Sequence, residues 1–230
     1  MKIGITLPQF RDEADSALAA ARRAEELGID GVFCFDHLWP MGQPGRPAIS
    51  SGPLLGALVA STTSIAIGTL VARIGLLPDQ VLVEVLCGVH AMSGGRLIAG
   101  IGTGDQMSRD ENEAYGIPFE TAAIRRQRLG SVATAVTGAG VPVWLGGGRP
   151  ETVALARATG AAINVWQDEA GPVTGPVAGD VEFTWGGPVG DTVGEARAML
   201  TAVAATGATW AVCAWPKSLD VVAEAGSAVR

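Results

Sequence analysis

Residues 92–105 read MSGGRLIAGIGTGD, and the fold turns on how they are interpreted. Met92 and Ser93 end a helix, and Gly94 and Gly95 break it. Two glycines after a helix supply a left-handed cap. Arg96 follows, then the apolar run Leu97, Ile98, Ala99, Gly100, Ile101. A short apolar run bounded by glycines suits a strand buried on both faces, as in a parallel sheet. The run ends in Gly102, Thr103 and Gly104, then a carboxylate, Asp105. Glycine has no Cβ, so this turn lets backbone approach a ligand closely. The stretch therefore predicts helix, loop, central strand and a functional carboxy-terminal strand end.

The same alternation repeats on both sides of it. Strands are predicted at residues 2–7, 31–35, 65–71, 97–102, 141–145, 161–166, 181–185 and 209–214. Helices are predicted at 15–27, 54–61, 79–92, 109–115, 121–136, 151–159, 192–205 and 219–228. Such alternation implies a parallel sheet with right-handed crossovers. Eight repeats in 230 residues point to a (β/α)₈ TIM barrel. A doubly wound open sheet is the alternative that strand counting leaves open. Residues 167–180 (QDEAGPVTGPVAGD) carry too many glycines and prolines for the helix expected after strand six. Nothing marks a domain boundary, so residues 1–230 read as one domain.

Hydrophobic residues make up 48% and charged residues 17%, enough apolar material for a large core. The net charge of −7 and a pI of about 4.8 argue against a nucleic-acid partner. Lys and Arg are scattered, which argues against an anionic membrane surface. No apolar run is long enough to span a bilayer. The amino terminus reads as a first strand and lacks the features of a signal peptide. Cys34, Cys87 and Cys213 lie far apart in apolar surroundings. They read as reduced thiols of a cytoplasmic protein, with neither a disulfide frame nor a metal site.

A barrel places function at the carboxy ends of its strands. Asp36, His37, Arg73, Asp105, Gly146, Gly147, Gly148 and Asn164 all fall there. His37 is one of two histidines and is the candidate proton carrier, with Asp36 beside it either to orient the ring or to bind elsewhere in the loop. His90 sits on a helix and reads as structural. Asp105 is either a second catalytic group or a cap on the following helix. The glycines around it do not make a dinucleotide fingerprint, because Asp105 stands where the third glycine belongs. Gly146 to Gly148, with Arg149 at a helix start, form a candidate phosphate site. Six tryptophans accompany a single tyrosine, and most of them suit the core. Trp39, next to the His37 loop, is a candidate for a substrate pocket.

Several segments together resemble the bacterial luciferase-like family of flavin- and deazaflavin-dependent oxidoreductases. They are Asp36-His37, GTLVAR at 68–73, SGGRLIAGIGTGD at 93–105, ENEAYGIPF at 111–119 and VPVWLGGG at 141–148. The likeness is to the branch that uses coenzyme F-420, an 8-hydroxy-5-deazaflavin. It implies a hydride transfer between that coenzyme and a small organic substrate. His37 and Asp105 would be catalytic, with Asp105 one methylene shorter than the glutamate of that branch. Asp36, Leu70, Val71, Gly102, Thr103, Gly104, Gly146, Gly147 and Gly148 would bind the coenzyme, and Trp39 and Arg73 would line the substrate pocket. A cis peptide is implied near Leu70-Val71, forming a bulge against the coenzyme ring. Members are usually longer, so the resemblance implies a shortened TIM barrel, with the excursion before strand five reduced here to TGAG. Basic residues that would hold a sugar phosphate have no counterpart, so that substrate is not implied. Members are commonly homodimers. An FMN-dependent monooxygenase and a non-catalytic flavin-binding protein are the alternatives.

Overall fold

A computed structural model describes residues 1–39, 43–105, 108–168, 179–216 and 218–230. Eight parallel strands close into a barrel in the order β1 to β8. They are β1 (Lys2–Thr6), β2 (Gly31–Cys34), β3 (Ala66–Arg73), β4 (Leu97–Gly102), β5 (Val143–Gly146), β6 (Ala162–Trp166), β7 (Phe183–Gly187) and β8 (Trp210–Cys213). Closure is direct, because Lys2 of β1 pairs with Trp210 of β8, and this rules out the open sheet. The helices are α1 (Ala14–Glu26), α2 (Ser51–Ser61), α3 (Asp79–Met92), α4 (Ser108–Ala114), α5 (Ala122–Gly138), α6 (Pro150–Thr159), α7 (Val193–Ala205) and α8 (Leu219–Ser227). Residues 139–142 alone join α5 to β5, the short link expected from TGAG. The expectation of no helix after strand six falls on 169–178, which lie outside the described residues.

Every residue of β4 is buried, as its apolar run predicts. Leu97, Ala99 and Ile101 join the outer layer with Leu86 and Val132 of the flanking helices. Ile98 points inward to a second cluster with Phe33, Leu70, Trp144, Ala162, Trp210 and Val212. There the Phe33 ring stacks on Trp144 at 5.1 Å and meets Trp210 edge-on at 5.9 Å. Small neighbours make room, since a Cβ at Gly68 would lie 2.7 Å from the Phe33 ring.

Several boundaries differ from the expected ones, and two of the differences have a clear physical reason. β7 runs on through Gly186 and Gly187, which resemble a turn in sequence. Both are strand residues because rings fill the space of their missing side chains: a Cβ at Gly186 would lie 2.6 Å from Trp166, and one at Gly187 2.7 Å from Trp185. α2 starts at Ser51 despite Pro53, because a first turn does not need the missing N–H.

At the amino end of the barrel, side chains fasten the loops. Gly94 and Gly95 take φ of 66° and 88° and close α3. Arg96 then donates to Ser93 O (3.0 Å), Thr62 Oγ1 (2.8 Å) and Ile65 O (2.9 Å). Glu25 of α1 accepts the backbone N–H groups of Thr63 (2.9 Å), Ser64 (2.6 Å) and Ile65 (3.0 Å). Burial alone would raise the Glu25 pKa, but these donors outweigh it and hold the carboxyl at about 2. A depressed carboxyl pKa adds stability above its unfolded value, and that stability is lost as pH falls through the folded one. The wild-type chain should therefore lose on the order of 2 kcal/mol more than Glu25→Gln as pH falls from about 4.5 to about 2. Urea unfolding at stepped pH checks this, and parallel acid curves for the two chains would contradict it.

Candidate active site

At the carboxy end of the barrel, β3 and β4 lose regular pairing between Thr69 and Ala72. The Leu70-Val71 peptide is cis. Alternation would send these two side chains to opposite faces, yet both lie on the interior side. Glycines leave the space this bulge needs. A Cβ at Gly100 would lie 2.0 Å from Thr69 O, one at Gly102 2.5 Å from Val71 Cγ2, and one at Gly146 3.2 Å from Val71 Cγ1. Val71 is thereby set as an apolar shelf.

Above the shelf lies a cavity of about 500 Å³. It gathers His37, Leu70, Val71, Arg73, Gly102 to Asp105 and Gly146 to Gly148, together with Phe35 and Trp166. An adjoining recess of about 320 Å³ shares Thr103, Gly104, Asp105, Gly146 and Gly147 and adds Arg125, Arg126 and Arg149. Arg149 occupies the N-cap position of α6, and no side chain caps that helix. Its first-turn N–H groups are oriented for an anion.

One wall carries a buried charge cluster. His37 Nδ1 lies 2.9 Å from Glu111 Oε2. Glu111 Oε1 accepts the Leu38 N–H. Arg73 Nη2 lies 3.0 Å from Glu111 Oε2, an ion pair by distance whose N–H bonds point elsewhere. Arg73 also donates from Nε to Asp36 O (3.0 Å) and from Nη1 to Asn112 Oδ1 (3.3 Å). Burial pushes Glu111 upward, but His37, the Leu38 N–H and Arg73 outweigh it and hold the carboxyl below its ordinary value. Glu111 is thus a carboxylate at neutral pH. The proton of a neutral His37 then sits on Nδ1, an assignment that follows from this network, and Nε2 is left for a ligand.

The model of the luciferase-like monooxygenase family matches residues 1–129. The chain belongs to that family. Among curated relatives, it is 36% identical over 118 residues to an F-420-dependent glucose-6-phosphate dehydrogenase of Microbacterium testaceum, covering 49% of this chain and 33% of the relative. It is 38% identical over 97 residues to the same-named enzyme of Nakamurella multipartita, covering 41% and 27%. The matches thus span about a third of those relatives' length. Among solved structures, an F-420-dependent secondary alcohol dehydrogenase bound to an F-420–acetone adduct has a TM-score of 0.81 at 15% identity, covering 100% and 99%. The coenzyme F-420-dependent tetrahydromethanopterin reductase of Methanopyrus kandleri gives 0.68 at 12%, covering 98% and 97%. At those identities the likeness is one of fold.

Within this luciferase-like barrel the other expected site residues take distinct places. Asp105 is at the cavity rim, but its Oδ1 accepts the backbone N–H and the hydroxyl of Ser108, both at 3.1 Å. These contacts tie it to Ser108, the first residue of α4, as a helix cap would. Asp36 does not orient His37 and does not reach the cavity. Burial raises its pKa, while its carboxylate accepts the Ser51 hydroxyl (2.8 Å) and the Arg73 N–H (3.0 Å). Trp39 is drawn away from the cavity wall onto Tyr115, with ring centroids 5.4 Å apart. Arg73 is 4% exposed and serves Glu111. The residue missed in sequence is Glu111, only 2% exposed in a short polar helix. It sits in the segment ENEAYGIPF, and its setting in α4 carried no mark of burial.

No helix among the described residues is long and apolar enough to cross a membrane.

Proposed function

We propose that this chain is an oxidoreductase that uses coenzyme F-420 on a small organic substrate. One observation carries the reading: a single cavity joins an apolar shelf at Val71, a fixed imidazole at His37 and a glycine rim that opens toward arginines. A deazaflavin has corresponding parts in its flat ring, its reactive edge and its phosphate. The names of the curated relatives support the same coenzyme.

The residues fit that group. A Cβ at Gly102 or Gly146 would press on Val71, and glycine at both keeps the shelf in place. Gly146 to Gly148, the start of α6 and Arg149 would hold the phosphate. When bound, the deazaflavin supplies a carbon that takes up or returns a hydride. The protein contributes position and proton management. His37 Nε2 takes the proton of a substrate hydroxyl, or returns it to a carbonyl oxygen. Glu111, held ionised, stabilises the imidazolium that results. Arg73 keeps that buried carboxylate compensated. Asp105 fixes the turn that carries Thr103 and Gly104 to the rim.

Titration with F-420 and with FMN, followed by tryptophan quenching, tests the reading, because Trp166 lines the cavity. Micromolar or tighter binding of F-420, with FMN weaker, is expected. Binding of FMN alone would turn the reading to an FMN-dependent monooxygenase, and binding of neither would sink it.

A further inference from the structure

A second cavity of about 350 Å³ shares Phe35 and His37 with the first. Leu7, Pro8 and Phe10, which follow β1, line it together with Ala48 and with Trp215, just after β8. Its polar neighbours are already engaged. Gln9 is 4% exposed, donates from Nε2 to Phe35 O and Ile49 O, and accepts the Phe35 N–H, each at 2.6 Å. Glu13 pairs with Arg46 at 2.9 Å. His37, which lines both cavities, uses Nδ1 for Glu111, and that leaves Nε2 for a ligand.

We infer that this second cavity is the substrate site and that it takes a small, uncharged, largely apolar alcohol or ketone whose one oxygen meets His37. The inference rests on the role proposed above for His37. The volume lies at the small end of the range of about 300–1,000 Å³ common for ligand sites. Apolar walls favour a ligand with little polar surface, because each hydroxyl set against Leu7, Phe10 or Trp215 would lose its water without gaining a partner. A phosphate dianion would also face the carboxylate of Glu13. The pocket thus departs from what the names of the curated relatives suggest.

The test is a saturation-transfer NMR titration of the full chain with cyclohexanone and, separately, glucose 6-phosphate, each with and without F-420. Cyclohexanone should bind at least about tenfold more tightly than glucose 6-phosphate. Trp215→Glu should weaken cyclohexanone by about tenfold or more and leave the F-420 titration unmoved. Trp215 is 45% exposed and lines only the second of these two cavities, so a charge there is compatible with folding. Glucose 6-phosphate binding as tightly as cyclohexanone would overturn the inference. So would cyclohexanone binding that Trp215→Glu leaves unchanged. A wild-type chain that binds cyclohexanone but not F-420 would remove the functional reading and leave the pocket standing.

Discussion

Replacing His37 with alanine is expected to cut turnover roughly 10²–10⁴-fold, the usual contribution of a positioned acid or base. Coenzyme affinity should change only a few-fold, because the shelf and the glycine rim are built without the imidazole. The effect is large because the ring is held ready for proton transfer. Glu111 grips Nδ1 at 2.9 Å and so fixes which nitrogen meets the ligand. Steady-state turnover followed through the absorbance of F-420 checks the first half, and the quenching titration checks the second. A melt of the variant guards against misfolding, and His37 is 27% exposed, so water can take the vacated place beside Glu111. Unchanged turnover with intact coenzyme binding would remove His37 from the chemistry.

Arg73→Ala should cost about 3–5 kcal/mol of stability, the range for removing one partner of a buried ion pair. The side chains of Arg73 and Glu111 are 5% and 2% exposed, so water cannot replace the guanidinium. The lost contacts include Asp36 O and Asn112 Oδ1 as well as the ion pair. Urea unfolding measures the loss. The double variant Arg73→Ala/Glu111→Gln should recover part of it, because the stranded charge is then gone. A loss under about 1 kcal/mol, as for an exposed pair, would contradict the account.

The barrel could be read from the chain because its signals are local. Each strand is a short apolar run, each helix carries its own stop, and Gly94 and Gly95 mark the turn below β4. The glycines at 100 and 102 were legible as a close approach, though the approaching group was not. It is the bulge of the neighbouring strand, and only the structure shows Thr69 O and Val71 against them. The site divides in the same way. His37 declares itself as a histidine at a strand end. Its partner lies 74 residues further on, and no periodicity links the two. Asp36 is adjacent in sequence, but its carboxylate turns to Ser51 and the β3 backbone. Asp105 was legible both as a strand-end carboxylate and as a cap, and the structure sets it at the cavity rim with the hydroxyl of Ser108 on its carboxylate. Trp215 suits a core by composition, whereas the structure sets it half-open at a cavity wall.

The aromatic cluster of Phe33, Trp144 and Trp210 has a consequence for traffic. Leu70, in the same cluster, lines the upper cavity, while Trp144 and Trp210 line a dent at the amino end. One layer of rings and methyls therefore corks the barrel, and nothing passes along its axis. The two upper cavities meet at Phe35 and His37, and neither shares a lining residue with the dent below. Whatever those two cavities hold therefore rests on the carboxy side of a sealed floor.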